Sequence, residues 1–85
     1  LIYFTIEAWE EFTNGYKDDK KTQNKIIRLI NETLRQPFTG IGKPEPLKGN
    51  LSGYWSRRID AENRLVYKIS PEGICVVKCK YHYND

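Results

Sequence analysis

Arg64-Leu65-Val66-Tyr67-Lys68-Ile69, the break Ser70-Pro71-Glu72-Gly73, and Ile74-Cys75-Val76-Val77-Lys78-Cys79-Lys80-Tyr81-His82 decide the fold. Both runs are rich in β-branched and aromatic residues, and the break between them is short and turn-forming. That pattern predicts an antiparallel hairpin. A third strand, Tyr54–Asp60, reaches Arg64 through Ala61-Glu62-Asn63. Period-two parity then sorts the side chains. Leu65, Tyr67 and Ile69 oppose Arg64, Val66 and Lys68, and Trp55 and Ile59 oppose Ser56 and Arg58. In the last strand Cys75, Val77, Cys79 and Tyr81 oppose Lys78, Lys80 and His82. If no bulge intervenes, one face of the sheet is a helix-covered core. The other is an open basic face carrying Arg58, Arg64, Lys68, Lys78, Lys80 and His82.

The first half of the chain supplies the cover. Leu1–Thr5 reads as a short apolar strand. Thr5 can cap a helix over about Ile6–Tyr16, with Ala8, Trp9, Phe12 and Tyr16 inward and Asn14-Gly15 fraying its end. Asp18 or Asp19 can cap a second helix over about 19–36. Its stripe is Ile26, Ile27, Ile30 and Leu34, and Pro37 lies just past its end. Residues 37–50, with three prolines and three glycines, read as a loop. It is long for so small a domain, and long loops often carry function. The expected architecture is α+β: two N-terminal helices on one face of a mainly antiparallel sheet of four to five strands.

Eighty-five residues predict a single domain, 1–85, burying roughly 60–65% of its unfolded surface. That leaves room for one core and a shallow groove. No apolar run approaches the ~18 residues of a membrane span, and the N-terminal strand lacks the charged start of a signal peptide. A cytoplasmic protein is expected. Residues 1–42 hold six basic and six acidic groups, whereas residues 43–85 hold eight and five, so the net charge of +3 lies wholly in the second half. That favours an anionic partner there. Cys75 and Cys79 would stand about 13 Å apart on one strand, too far for a disulfide. They read as buried thiols in a reducing compartment. One histidine and no ligand cluster argue against a zinc site, and no cofactor is expected.

His82, the only histidine, is the side chain suited to moving protons near neutral pH. An open face of arginines, lysines and aromatics suits RNA better than duplex DNA, because exposed rings stack unpaired bases and cations neutralise phosphates. Parity alone leaves a second reading open, in which the arginines pair with Asp60 and Glu62 and the tyrosines complete the core. RNA cleavage without a metal needs a base for the 2′-hydroxyl, a fixed cation for the phosphorane and an acid for the departing 5′-oxygen. Glu45, Arg64 and His82 can fill these roles, with Glu45 restricted between Pro44 and Pro46. As plain structure, Glu45 is a solvated loop acid and His82 a cap on the sheet end.

Lys43-Pro44-Glu45-Pro46-Leu47-Lys48, Asn50-Leu51-Ser52-Gly53-Tyr54-Trp55-Ser56-Arg57-Arg58-Ile59, Asn63-Arg64-Leu65-Val66-Tyr67 and Tyr81-His82-Tyr83 strongly resemble the YoeB toxins of the RelE-like toxin–antitoxin superfamily. Trp9 and Pro37-Phe38-Thr39-Gly40 fit as well, so the resemblance covers essentially the whole chain. It implies a microbial-ribonuclease-like fold and a ribosome-dependent endonuclease that cuts mRNA in the ribosomal A site. It also implies Glu45 as general base, Arg64 as phosphate-stabilising cation and His82 as general acid. Lys48 and Arg58 match supporting, phosphate-contacting positions, and Tyr83 matches an aromatic that orients the scissile nucleotide. Lys80 stands where an arginine can precede the Tyr-His-Tyr end, Gly49 stands where a histidine can occur, and Asn84-Asp85 extend past the usual end. Implied partners are a YefM-like antitoxin, the ribosome with its mRNA, and operator DNA through the antitoxin complex. Members of the family can dimerise. The rival from another class is a non-catalytic RNA- or antitoxin-binding co-repressor on the same scaffold.

Overall fold

The hairpin forms as its sequence predicts. β4 (Arg64–Ser70) and β5 (Gly73–Lys78) pair antiparallel, with Ser70 opposite Gly73 and only Pro71-Glu72 between them. The structure is a computed structural model, and it describes residues 1–81. β3 (Tyr54–Arg58) adds antiparallel to β4, and the two-residue β2 (Glu45–Pro46) adds antiparallel to β3. β1 (Ile2–Phe4) joins the far edge parallel to β5, completing the order β1-β5-β4-β3-β2. Gly73 makes that junction possible. Its φ is +138°, and a Cβ there would lie 1.9 Å from the Leu1 carbonyl, which accepts the Ile74 N–H.

α1 (Ile6–Thr13) starts at Thr5, whose Oγ1 accepts the Ala8 N–H. It stops at Thr13, three residues earlier than its apolar spacing suggests, because Asn14-Gly15 are poor helix formers. α2 (Lys20–Arg35) is capped by Asp19, which accepts from the Thr22 N–H and hydroxyl. These bonds hold the Asp19 carboxyl below the usual range. The inner face of α2 is Ile26, Leu29, Ile30 and Thr33, not the expected Ile26, Ile27, Ile30 and Leu34. A 3.6-residue period from Ile26 reaches 29, 30 and 33, and it turns Ile27 and Leu34 to the flank. Thr33 tolerates burial because its hydroxyl donates to the Leu29 carbonyl. Trp9 is likewise half-exposed, stacked on Phe12 and edge-on to Phe4.

The core joins Ala8, Tyr16, Ile26, Leu29 and Ile30 to Ile59, Leu65, Tyr67, Ile74, Val76 and Cys79. Full burial of one such aliphatic side chain is worth about 1.5–3 kcal/mol. The last strand corrects the parity reading. The register slips between Val66 and Tyr67, which face Lys78 and Val76, so Val77 is an extra residue. Ile74 and Val76 therefore face the helices and Cys75 turns to the opposite face. Beyond the bulge, Cys79 returns to the core. Both thiols are free; Cys79 is buried and Cys75 only partly so. Burial, aided by the Glu11 charge, pushes the Cys79 thiol up to about 12, so it packs as an inert apolar group.

Candidate active site

The face opposite the helices is organised in cross-strand rows. Glu45 lies opposite Ser56, Ser56 opposite Val66, and Val66 opposite Lys78, spanning four strands. One step along lies the pair Arg58 and Arg64; one step the other way lie Tyr54, Lys68, Cys75 and Tyr3. Ser56 and Val66 form a floor that is 1% exposed. Leu47 is also buried and, like Val66, stands outside the helix-side core. The face is thus a shallow basin with a small apolar floor. Strand spacing places the Glu45 and Arg64 Cα atoms about 12 Å apart, with Arg58 between them. Their side chains can converge on one phosphate-sized group. Lys48 is exposed at the start of the 3₁₀ turn Gly49–Leu51, which follows β2.

A residue that carried no role in the sequence reading anchors the loop ahead of Glu45 to the sheet. Arg57 is fully buried. Its guanidinium donates to the carbonyls of Ile41 (2.8 Å), Thr39 (2.9 Å) and Gln36, and its Nε donates to the Tyr67 hydroxyl at 3.2 Å. Tyr67 in turn donates to the Pro37 carbonyl. A buried cation is costly unless its donors are satisfied. Here neutral acceptors satisfy them, and residues 36–41 are clamped onto the sheet. Gly42 extends the clamp, because its carbonyl accepts the Arg58 N–H and its Cα leaves only 3.0 Å for a Cβ beside Arg57 and Leu29. Parity carried the missed signal: Arg57 shares its face with the core residues Trp55 and Ile59.

The segment leading to His82 is anchored differently. Asp60 Oδ1 accepts from the N–H groups of Glu62 and Asn63 and from the Asn63 amide. Asn63 Oδ1 then accepts the Tyr81 N–H at 2.7 Å, and the Arg64 N–H donates to the Tyr81 carbonyl. Partial burial opposes ionisation of Asp60, but these bonds and the nearby Lys25 outweigh it and hold its carboxyl below the usual range. Glu11 secures the chain just past the end of β5 by accepting the N–H groups of Cys79 and Lys80, with its other oxygen 3.5 Å from Lys78 Nζ. The buried Tyr16 hydroxyl donates to the Cys79 carbonyl, and burial raises its ionisation well above the ordinary tyrosine range.

Of the two last-strand lysines that parity put on the open face, one is engaged elsewhere and the other is placed differently. Lys78 keeps its register on the basin face but is engaged by Glu11. Lys80 is not on that face. Its ammonium donates to the Gly15 carbonyl and lies 4.5 Å from the centre of the Tyr16 ring. The regular ladder ends at Lys78, just past the bulge, so alternation no longer governs Lys80. Arg64 is held by the Asp60 and Asn63 carbonyls at 2.8 and 3.1 Å. His82 and Tyr83, together with the Asn84-Asp85 tail, lie outside the described residues.

Only two non-glycine residues among those described have positive φ: Lys43 at 50° and Tyr81 at 66°. One lies two residues before Glu45 and the other immediately before His82. Such backbone costs of order 1–3 kcal/mol and collects at functional sites.

A five-stranded sheet with one parallel edge, two covering helices and a carboxylate–arginine basin define a small toxin-like α+β domain. A family profile described as the YoeB-like toxin of bacterial type II toxin–antitoxin systems matches residues 4–83. The toxin YoeB of Mycobacterium bovis is 54% identical over 82 residues, 96% of each chain. Among solved structures, the YoeB/ParE toxin of Agrobacterium tumefaciens superposes with a TM-score of 0.91 at 44% identity, covering 96% of this chain and 98% of that one. A YoeB–YefM complex from Staphylococcus aureus matches with a TM-score of 0.89 at 44% identity, covering 98% and 97%. The chain therefore belongs to the YoeB-like toxin family of bacterial type II toxin–antitoxin systems.

Proposed function

We propose that this toxin is a ribosome-dependent endoribonuclease that cuts mRNA in the A site. The supporting observation is the basin itself, where one strand register sets Glu45 beside the Arg58–Arg64 pair over a buried floor. In this reading the Glu45 carboxylate takes the 2′-hydroxyl proton and the 2′-oxygen attacks the adjacent phosphorus. Arg64, assisted by Arg58 and Lys48, holds the charge that grows on the phosphorane. The bond to the 5′-oxygen then breaks, and the His82 imidazolium supplies its proton. The products are a 2′,3′-cyclic phosphate and a 5′-hydroxyl. Tyr83 orients the scissile nucleotide.

A YefM-like antitoxin is the expected inhibitor, as the S. aureus complex suggests by likeness, and operator DNA is reached through that complex. The ribosome places the protein in the cytoplasm. Primer extension on a defined mRNA in programmed ribosomes tests the reading, with Glu45→Gln and His82→Gln beside the unmodified chain. Cleavage at an A-site codon that both variants lose by about 10²-fold or more is the expected result. Equal cutting of naked and translated mRNA would instead identify a free ribonuclease. Binding without cutting would identify a co-repressor on a toxin scaffold.

A further inference from the structure

A cavity of about 570 Å³ opens at the corner of the sheet, between α2, the loop through Gly42 and the β3–β4 turn. Five cations line it: Lys25 and Arg28 from α2, Lys43 from the loop, and Arg58 and Arg64 from the strands. Ile41 supplies exposed apolar surface, backed by Leu29 and Ile59, which are each 1% exposed. Its one acid, Asp60, already accepts four hydrogen bonds within its own turn. Among the described residues, Lys25, Arg28, Lys43 and Arg58 form no salt bridge. Five cations against the single carboxylate of Asp60, which Lys25 helps to keep ionised, leave a positive excess that raises the local potential and favours an anion. The volume lies in the range of small-ligand sites, and apolar surface under a cationic rim matches a nucleotide, whose base and phosphate need opposite surroundings.

We propose that this cavity is a second RNA subsite, taking the nucleotide that flanks the scissile one, with Lys25 and Arg28 of α2 as its phosphate contacts. The inference rests on the nuclease reading above. Arg58 and Arg64 belong to both the cavity and the basin row beside Glu45, so a strand whose cleaved phosphate lies at Arg64 continues into the cavity. Lys25 and Arg28 stand one helical turn apart on the same side of α2, and both are exposed. No core contact is lost when they are replaced. Continuity with the basin through Arg58 and Arg64 favours an RNA strand over an acidic peptide.

The test measures binding of a 2′-O-methyl RNA hexanucleotide, which cannot be cleaved, to the full chain by fluorescence anisotropy from 50 to 200 mM salt. The Lys25→Gln/Arg28→Gln double variant is compared with the unmodified protein, and thermal melts confirm equal folding. We expect the variant to bind about tenfold or more weakly at 50 mM salt. Its log K against log salt should be shallower by about 1.4, since each phosphate contact on a single strand contributes about 0.7. Unchanged affinity and slope would overturn the subsite, and so would failure of the unmodified protein to bind. An oligoglutamate peptide that loses affinity in the variant while RNA does not would also overturn it, in favour of an acidic protein segment. Primer extension in programmed ribosomes keeps the two readings apart. If the unmodified protein cuts and the variant binds RNA normally, only the subsite fails. If the unmodified protein does not cut, the nuclease reading fails with it.

Discussion

The two segments that lead to the proposed proton-transfer groups are secured by opposite means. Beneath the Glu45 loop, one fully buried guanidinium is shared among three backbone carbonyls and a tyrosine hydroxyl. At the other end, residues 79–81 are fixed from the surface, by Glu11 just past the end of β5 and by Asn63 relaying the Asp60 turn. The loop is a stretch of turns and bends that makes few ladder bonds of its own, so it needs a strong internal anchor. The C-terminal segment continues from a strand and needs only its last N–H groups satisfied. A positive-φ residue stands at the end of each anchored segment, Lys43 just past one and Tyr81 the last of the other. Local strain is maintained in both places by surrounding bonds that over-determine it.

That contrast predicts unequal consequences. The largest belongs to Arg57→Ala, which leaves several buried acceptors unpaired and opens a cavity. We expect a loss of about 3–5 kcal/mol in urea unfolding, together with loss of mRNA cleavage. A loss below about 1 kcal/mol would show that the loop is held by other contacts. Asn63→Ala should cost about 1–2 kcal/mol, because it cuts the relay at an exposed site. It should lower single-turnover cleavage more than its stability loss accounts for, and Asn63→Asp, which keeps an acceptor for Tyr81 but sets a second carboxylate against Asp60, should not restore the rate. Equal rates in all three proteins would separate the C-terminal anchor from the chemistry.

Lys43→Gly should be nearly neutral for folding, within about 1 kcal/mol, because relief of positive φ is offset by glycine's greater unfolded entropy. Cleavage should fall if the strained turn orients Glu45, so a melt and a rate on the same sample decide the matter. The smallest effect is the response to acid. Asp19 and Asp60 are both held below the usual carboxylate range when folded. Their contribution is therefore present above the unfolded value of about 4 and is lost as pH falls through their lower folded values. Unfolding followed from pH 6 to pH 2 should show stability dropping at the acid end, less so in Asp60→Asn. No difference between the two proteins would assign the acid response elsewhere.

Much of this architecture was legible in the chain. Thr5 and Asp19 act as caps because a short oxygen-bearing side chain before an apolar-periodic run has one good use there. The β3–β4 and β4–β5 connections follow from turn chemistry, and the face shared by Arg58, Arg64 and Val66 follows from the pleat. The failures share a cause. Ile27 and Leu34 looked inward because apolar character was weighed above the helical angle. Cys75 was misplaced because a single bulge residue, Val77, reverses parity across it, and Lys80 because the regular ladder ends at Lys78. Nothing local in Val76-Val77 announces the bulge; it arises because β5 must pack Ile74, Val76 and Cys79 on the helix side at once.

The sequence by itself determined the two helices, the first strand and the last three strands, the α+β class, the family, and the candidate residues Glu45, Arg58 and Arg64, because caps, turns and period-two alternation act over a few residues. β2 (Glu45–Pro46) and the 3₁₀ turn Gly49–Leu51 lie in the stretch that reads as a loop. Only the tertiary structure decided that Arg57 is the buried clamp, that Lys80 is spent on the α1–α2 turn, and that α2 contributes Lys25 and Arg28 to a cavity shared with the basin. Each of these depends on which distant backbone carbonyls and side chains meet, and such meetings are settled by packing rather than by spacing along the chain.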